Sequence, residues 1–272
     1  MFDLYWAEDG GVPPGDRGLA YGDGLFETIA IMGGKASLLG YHLDRMVRDA
    51  GRLAIPLARP ELEAACVRAL ERYSGLYPSL NWVLKLTLTR GSGGRGYRPE
   101  PRMKPSLIVS HSAFPSVPGP EGVVADFSRV PLTVNPLLAG IKSLNRLEQV
   151  MAARELQGDV FEVLMSNRDG HVVEGTRTNL FMLFEDVWLT PPASTLAVAG
   201  VMRRYVLDRL RIAGHEFREM PLTLDTLLGG SCQGLWLSNS VVGVVPVRNL
   251  AGHDLPVDQR LATIVGSPAR LD

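Results

Sequence analysis

The chain of 272 residues carries 28 basic and 29 acidic side chains, a formal charge of −1, and 46% apolar residues. That apolar content supports an extensive core in one large domain or two modest ones and argues against disorder. The charge balance gives no electrostatic reason to expect nucleic acid or an anionic membrane as a partner.

Two cysteines, Cys66 and Cys232, lie far apart and form no CxxC pair. A disulfide framework and a metal site are therefore not expected, and a reducing cytoplasm is the expected compartment. The opening MFDLYWAEDGG has no basic stretch followed by an apolar run, so no signal peptide is expected. No apolar run approaches the roughly 20 residues of a membrane span.

In chain order, LFETIAIM (25–32) is apolar and β-branched between GDG and GG, which predicts a strand. Leu39, Leu43, Met46, Val47, Ala50 and Leu53 recur at helical spacing, predicting an amphipathic helix. A second helix is predicted from Pro60 to about Tyr73. Residues 81–89 alternate, with Trp82, Leu84, Leu86 and Leu88 on one face and Lys85, Thr87 and Thr89 on the other, a half-buried strand. Residues 105–111 read as a further strand.

AFPSVPGPE (113–121) holds three prolines, which resist both helix and ladder. It is read as a linker between a smaller domain, 1–112, and a larger one, 122–272. Beyond it the pattern predicts a strand at 123–130, a helix starting near Lys142, and strands at 160–165 and 179–184. A helix from Gly200 stopping at Gly214 follows, then strands at 235–238 and 241–247. The fold class is α/β, of the α+β type, in two domains.

Only four lysines occur: Lys35, Lys85, Lys104 and Lys142. Lys142, in LLAGIKSLNRLEQV, follows an apolar run and precedes Leu144, Leu147 and Val150 at helical spacing. Two readings stay open from these residues. Desolvation favours a neutral, nucleophilic amine, whereas a snorkelling lysine keeps its ammonium in water. Glu174, in HVVEGTRTNLF, is either a turn-capping acid or the anionic partner of a protonated ring nitrogen.

The helix start around Gly200, Val201 and Met202 offers backbone N–H donors of the kind that bind phosphate. Arg45 is assigned to the polar face of its helix, either contacting such a phosphate or paired with Asp44 or Asp49. Asn239 and Ser240 interrupt an apolar run and are either phosphate donors or turn residues. TRGSGGRGY (89–97) contains the letters of G-x-G-x-x-G, but RPEPRMKP follows and no helix can start there to hold a pyrophosphate. A mobile glycine-rich loop presenting Arg90 and Arg95 to substrate carboxylates fits better. No G-x-S-x-G elbow or recognisable catalytic histidine supports a hydrolase.

Taken together, DRGLAYGDGLFETI, HLDRM, TRGSGGRGY, AGIKSLNRLEQV, VVEGTRTNLF and AGVMR make a chain that resembles the fold-type IV pyridoxal 5'-phosphate enzymes. That group includes branched-chain aminotransferases, D-amino-acid transaminases and aminodeoxychorismate lyases. GSGGRGY and KSLNRLEQV look most like the lyase branch. Leu147 stands where branched-chain aminotransferases typically carry tyrosine.

The resemblance implies pyridoxal 5'-phosphate in the cleft between the domains and a homodimer. Lys142 matches the Schiff-base lysine, and Glu174 the partner of the pyridine nitrogen. Arg45 matches a phosphate-binding residue. Val201, Met202, Asn239 and Ser240 match the remaining contacts, and Asn179 is grouped with them. Thr28 and Lys142 are the candidate proton carriers, and Arg90 and Arg95 the candidate substrate-carboxylate ligands. The implied reaction is a lyase step, with a transaminase as the alternative. A binding protein that had kept the fold and lost the chemistry would be expected to lack Lys142 or Glu174, and both are present.

Overall fold

The computed structural model describes residues 1–266, so the last six residues of the expected second domain lie outside the described residues. Two compact units divide the described residues: residues 1–115 together with 142–145, and residues 116–141 together with 146–266. The short segment around Lys142 therefore packs with the N-terminal unit, although it lies well inside the second half of the chain.

The first unit contains β1 (Asp3–Trp6), α1 (Arg17–Tyr21), β2 (Gly24–Met32), β3 (Lys35–Ala36), α2 (Leu39–Arg52), α3 (Arg59–Tyr73), β4 (Trp82–Thr89) and β5 (Ser106–Ala113). Its five-stranded sheet runs β1-β5-β4-β2-β3, with β1 and β5 parallel and the other pairs antiparallel. Strand periodicity separates the two faces. Leu25, Ile29, Ile31, Leu84, Leu86, Leu88, Leu107 and Val109 are buried, and α2 packs on β2. Phe26 and Thr28 alternate with them and point to the other face, opposite Thr87 and Lys85 in the ladder.

The second unit contains β6 (Val123–Phe127), α4 (Leu147–Ala153), β7 (Val160–Ser166), β8 (His171–Gly175), β9 (Asn179–Phe184), β10 (Val187–Thr190), α5 (Val201–Ile212), β11 (Phe217–Glu219), β12 (Leu222–Thr223), α6 (Leu224–Leu228), β13 (Cys232–Asn239), β14 (Gly243–Leu250), β15 (His253–Asp254) and α7 (Arg260–Val265). The strands order as β11-β10-β9-β13-β14-β6-β7-β8-β12, with β15 on β14. The interior strand β9, NLFMLF, is buried at all but its last residue, as befits a strand covered on both faces. Leu180, Met182, Leu235, Leu237, Val245 and Val247 form the middle of its core. Helix α5 ends at Ile212, and Gly214 takes a left-handed φ of 74°, the stop expected of a glycine there.

The helix expected to start near Lys142 is not formed there. Lys142, Ser143 and Leu144 pair with the first residues of β2 through a bridge between Ser143 and Leu25, and α4 begins only at Leu147. The apolar spacing that suggested a core-facing helix is not a core face: Ile141 is buried, but Leu147 and Val150 are exposed. Main-chain pairing explains the difference. Phe26 N–H donates to Lys142 O, and Leu144 N–H donates to Gly24 O, both at 3.0 Å. A helix at this point would forfeit both bonds. The strand expected at 123–130 stops at Phe127, and that expected at 241–247 begins at Gly243.

Gly24 makes this pairing possible by close approach. A Cβ there would lie 2.3 Å from Leu88 O and 2.9 Å from a Leu144 methyl. Gly24→Ala is expected to force β2 away from β4 or from the Lys142 segment, lowering unfolding stability by about 1–3 kcal/mol in urea titration.

Candidate active site

Lys142 is half-buried, and its Nζ lies 4.2 Å from the centroid of the Phe26 ring. The ring face attracts the cation and excludes water from its stem. Lys85 reaches the same ring, with Nζ 5.2 Å from the centroid. Thr28 follows Phe26 by two residues on one strand and so shares its face. The first unit thus sets two amines against one phenyl ring, with Thr28 on the same face of the strand.

Arg45 does not lie on a solvent-facing side of α2. It is buried, 5% exposed, and donates from Nε to Glu27 Oε1 at 2.7 Å and from Nη2 to Glu27 Oε2 at 2.5 Å. The two acids considered as its partners are bound elsewhere, Asp44 to Arg59 and Asp49 to Arg48. His42 completes the cluster, its Nδ1 2.6 Å from Glu27 Oε2 and its Nε2 buried with no hydrogen-bond partner. Burial alone would raise the Glu27 carboxyl, but the Arg45 and His42 charges and hydrogen bonds overcome it and hold the group at about 2. Burial pushes the His42 imidazole down.

The sequence holds a signal for this cluster in the phase of β2. Glu27 occupies an inward position in the alternation Leu25, Glu27, Ile29, Ile31. A carboxylate in that phase requires a buried cation on the covering helix.

The two loop arginines differ. Arg90 donates to both oxygens of Asp23 at 2.8 and 2.9 Å, and to the carbonyls of Leu53 and Ala54. Its guanidinium is thereby engaged in holding chain segments together. Arg95 is exposed. The glycine-rich loop, expected to be mobile, is tied down by Arg17, which is 3% exposed. Arg17 donates to Asp23 at 2.9 Å and to the carbonyls of Gly96 and Tyr97 at 2.9 and 2.8 Å. The two arginines keep the Asp23 carboxyl low against the opposing effect of its partial burial.

In the second unit, Glu174 lies near the end of β8 and is 3% exposed. Its Oε2 accepts the Val198 N–H at 3.1 Å. Asn179, at the start of β9, donates from Nδ2 to Val198 O at 3.0 Å and accepts the Gly200 N–H on Oδ1 at 3.1 Å. Gly200 is the N-cap of α5 and has no capping side chain. The first-turn N–H groups of Val201 and Met202 therefore stand as donors at the positive end of a three-turn helix. Ser238 is the ladder partner of Asn179, so Asn239 and Ser240 follow immediately beyond it. Asn239 Oδ1 accepts from the N–H groups of Val241 and Val242, each at 2.9 Å, and shapes that hairpin turn.

These residues fit pyridoxal phosphate by the chemistry of the donor set. A half-buried amine suits its aldehyde, a buried carboxylate suits its ring nitrogen, and an uncapped helix start suits its phosphate. Among the described residues no group of three or more His, Cys, Asp or Glu side chains is arranged to hold a metal ion.

Residues 24–250 match the family model of class IV amino-transferases, and the chain belongs to that family. It is 35% identical to the aminodeoxychorismate lyase of Vibrio harveyi over 91% of this chain and 90% of that protein. It is 29% identical to the D-alanine aminotransferase of Bacillus licheniformis over 88% and 83%. Among solved structures it superposes on 4-amino-4-deoxychorismate lyase from Pseudomonas aeruginosa with a TM-score of 0.86. That match is 37% identical and covers 94% of this chain and 93% of the other.

The Glu27 cluster makes an acid-stability prediction. The carboxyl sits at about 2 in the folded protein against an ordinary value of 4.5. Its contribution is thus fully present above pH 4.5 and is lost as the pH falls through that window toward 2. Unfolding free energy from denaturant titrations at stepped pH should fall across the window. Glu27→Gln should be destabilised at neutral pH, by about 3–5 kcal/mol, and should show a shallower acid decline.

Proposed function

We propose that this protein is a pyridoxal-phosphate-dependent lyase that converts 4-amino-4-deoxychorismate to 4-aminobenzoate and pyruvate, a step toward folate. What carries the reading is likeness to aminodeoxychorismate lyases at 35% and 37% identity over nine-tenths of each chain. Transaminase relatives match somewhat less well, a putative branched-chain-amino-acid aminotransferase at 32% and a D-alanine aminotransferase at 29%.

When bound, the cofactor supplies an electron sink for the pair left behind as a proton leaves the amine-bearing carbon. The remaining work falls to this chain. Lys142 would hold the cofactor through its aldehyde and, as a neutral amine beside the substrate, would act as the base. It takes the proton from the amine-bearing ring carbon onto Nζ. Its seat on the Phe26 ring keeps the amine aimed. Departure of the enolpyruvyl group then leaves an aromatic ring, with a proton delivered from Lys142 or from the Thr28 hydroxyl.

Glu174 keeps the cofactor's ring nitrogen protonated. Arg45, Asn179, Val201, Met202, Asn239 and Ser240 bind the rest of the cofactor, the helix start taking phosphate. Arg95 and Lys85 receive the substrate's carboxylates by charge-assisted bonds. Arg90, committed to Asp23 and two carbonyls, braces the loop instead.

The enzyme acts in the cytoplasm as a homodimer. Cys66 and Cys232 are both buried and unpaired, as in a reducing compartment. Among the described residues no helix is long and apolar enough to cross a membrane. For the dimer, Leu147, Val150 and Met151 on α4 form an exposed apolar stripe at i, i+3, i+4 spacing, a surface suited to a second copy. Leu147→Asp is expected to shift the mass measured by light scattering from dimer toward monomer.

Incubating the purified protein with freshly made aminodeoxychorismate and following 4-aminobenzoate fluorescence tests the reaction itself. Lys142→Ala should lose activity by about a thousandfold or more, together with the visible absorption of bound cofactor. Glu174→Gln should retain cofactor and slow turnover by about tenfold to a hundredfold. Arg95→Ala should raise KM by about tenfold with little change in kcat. Amino-group transfer from D-alanine or a branched-chain amino acid to a keto acid, with no 4-aminobenzoate formed, would replace the lyase reading by the transaminase one.

A further inference from the structure

Glu162, in β7, is fully buried at 0% exposure. Burying a carboxylate is costly unless charge or hydrogen bonds replace its water. Among the described residues no cation pairs with it. Its oxygens are satisfied by five donors instead. Oε1 accepts the N–H of Val163 at 3.1 Å, the N–H of Thr176 at 3.1 Å and the hydroxyl of Thr176 at 2.6 Å. Oε2 accepts the N–H of Arg177 at 3.2 Å and the hydroxyl of Thr178 at 3.0 Å.

Four of those donors come from Thr176, Arg177 and Thr178, which form the turn joining β8 to β9. The turn closes through Gly175 N–H to Thr178 O at 2.8 Å. Gly175 lies against the carboxylate so closely that a Cβ would come within 2.6 Å of Glu162 Cδ. One residue before the turn's closing glycine is Glu174, and the residue after Thr178 is Asn179. Both reach the same stretch of chain: Glu174 holds the Val198 N–H, and Asn179 holds Val198 O and the Gly200 N–H. That stretch leads directly into the first turn of α5.

We propose that Glu162 is a positioning residue for the cofactor, setting through one turn both the Glu174 carboxylate and the phosphate-binding start of α5. The inference rests on the roles given above to Glu174, Asn179 and the α5 start, and deepens them. A single buried acid at 0% exposure fixes the register of two contacts that act on opposite ends of the same small molecule. It touches neither end itself. Its value lies in replacing a flexible hairpin with a turn whose N–H and hydroxyl donors have one common acceptor.

The test uses the full-length protein and Glu162→Gln, which keeps size and removes the charge. An amide has one acceptor oxygen and must turn its NH2 toward a donor on the other side, leaving at least one buried donor unmatched. Apoprotein is titrated with pyridoxal phosphate. The holoenzyme is then followed by 31P NMR of the bound phosphate and by the pH midpoint of the cofactor's visible absorption. The dissociation constant should rise about tenfold or more, and both spectroscopic signals should move together.

Thr178→Val, which deletes one donor at nearly constant volume, should move the same signals in the same direction by less. It serves if Glu162→Gln fails to fold. A folded variant with wild-type affinity and both signals unmoved would overturn the proposal, as would movement of only one of the two. Glu174→Gln and Asn179→Ala are measured alongside. If neither shifts its signal, the roles assigned to those residues fall and the proposal falls with them. If they do and Glu162→Gln does not, only the proposal fails.

Discussion

The backbone pairing between Lys142–Leu144 and the first residues of β2 is the constraint on which the proposed chemistry depends. Two N–H···O bonds of 3.0 Å fix a segment from the second half of the chain onto the edge of an N-terminal strand. With the main chain held, the Lys142 side chain has few places to go, and the Phe26 ring receives it. The pairing also explains why YGDG precedes the strand. Gly24 leaves the space in which the Leu144 methyl and the β4 backbone can approach. A catalytic amine must be held to within a fraction of an ångström, and main-chain bonds to a sheet achieve that better than a loop.

Buried carboxylates form the second layer of organisation, and the chain satisfies them in different ways. Glu27 meets a guanidinium and an imidazole on α2. Asp23 bridges Arg17 and Arg90 and so ties the glycine-rich loop to the YGDG turn. Among the described residues Glu162 has only neutral donors. In each case breaking the arrangement leaves a charge or several donors without partners in a low-dielectric interior, which is costlier than the arrangement is stabilising. Such clusters specify geometry more than they add stability. Each is bonded next to a residue assigned to the cofactor or substrate: Glu27 to Arg45, Asp23 to the Arg17 that holds the Arg95 loop, and Glu162 to the turn that follows Glu174.

The glycine-rich loop shows how function and fold share residues. Its sequence, GSGGRGY, suggests flexibility, yet Arg17 grips the carbonyls of Gly96 and Tyr97 and leaves Arg95 on the outside. A loop that is anchored at its base and exposed at its tip can present a cation to a substrate without a large ordering cost on binding.

By itself the sequence determined the strands and helices whose patterns are local. The alternation through 82–89, the apolar recurrence from Leu39 to Ala50, and the stop at Gly214 all depend on residues within a few positions of one another. The order of short motifs along the chain also determined the family, because spacing over the whole length is a property of sequence. Only the tertiary structure decided that Lys142 lies in a segment paired with β2 and that Leu147 and Val150 face outward. The same holds for Arg45, which turns inward to Glu27, and for Arg90, which braces the chain. Each of these was settled by a partner far away in sequence, a strand edge or a buried carboxylate, and the cost of leaving such groups unpaired outweighs the local preference of the chain.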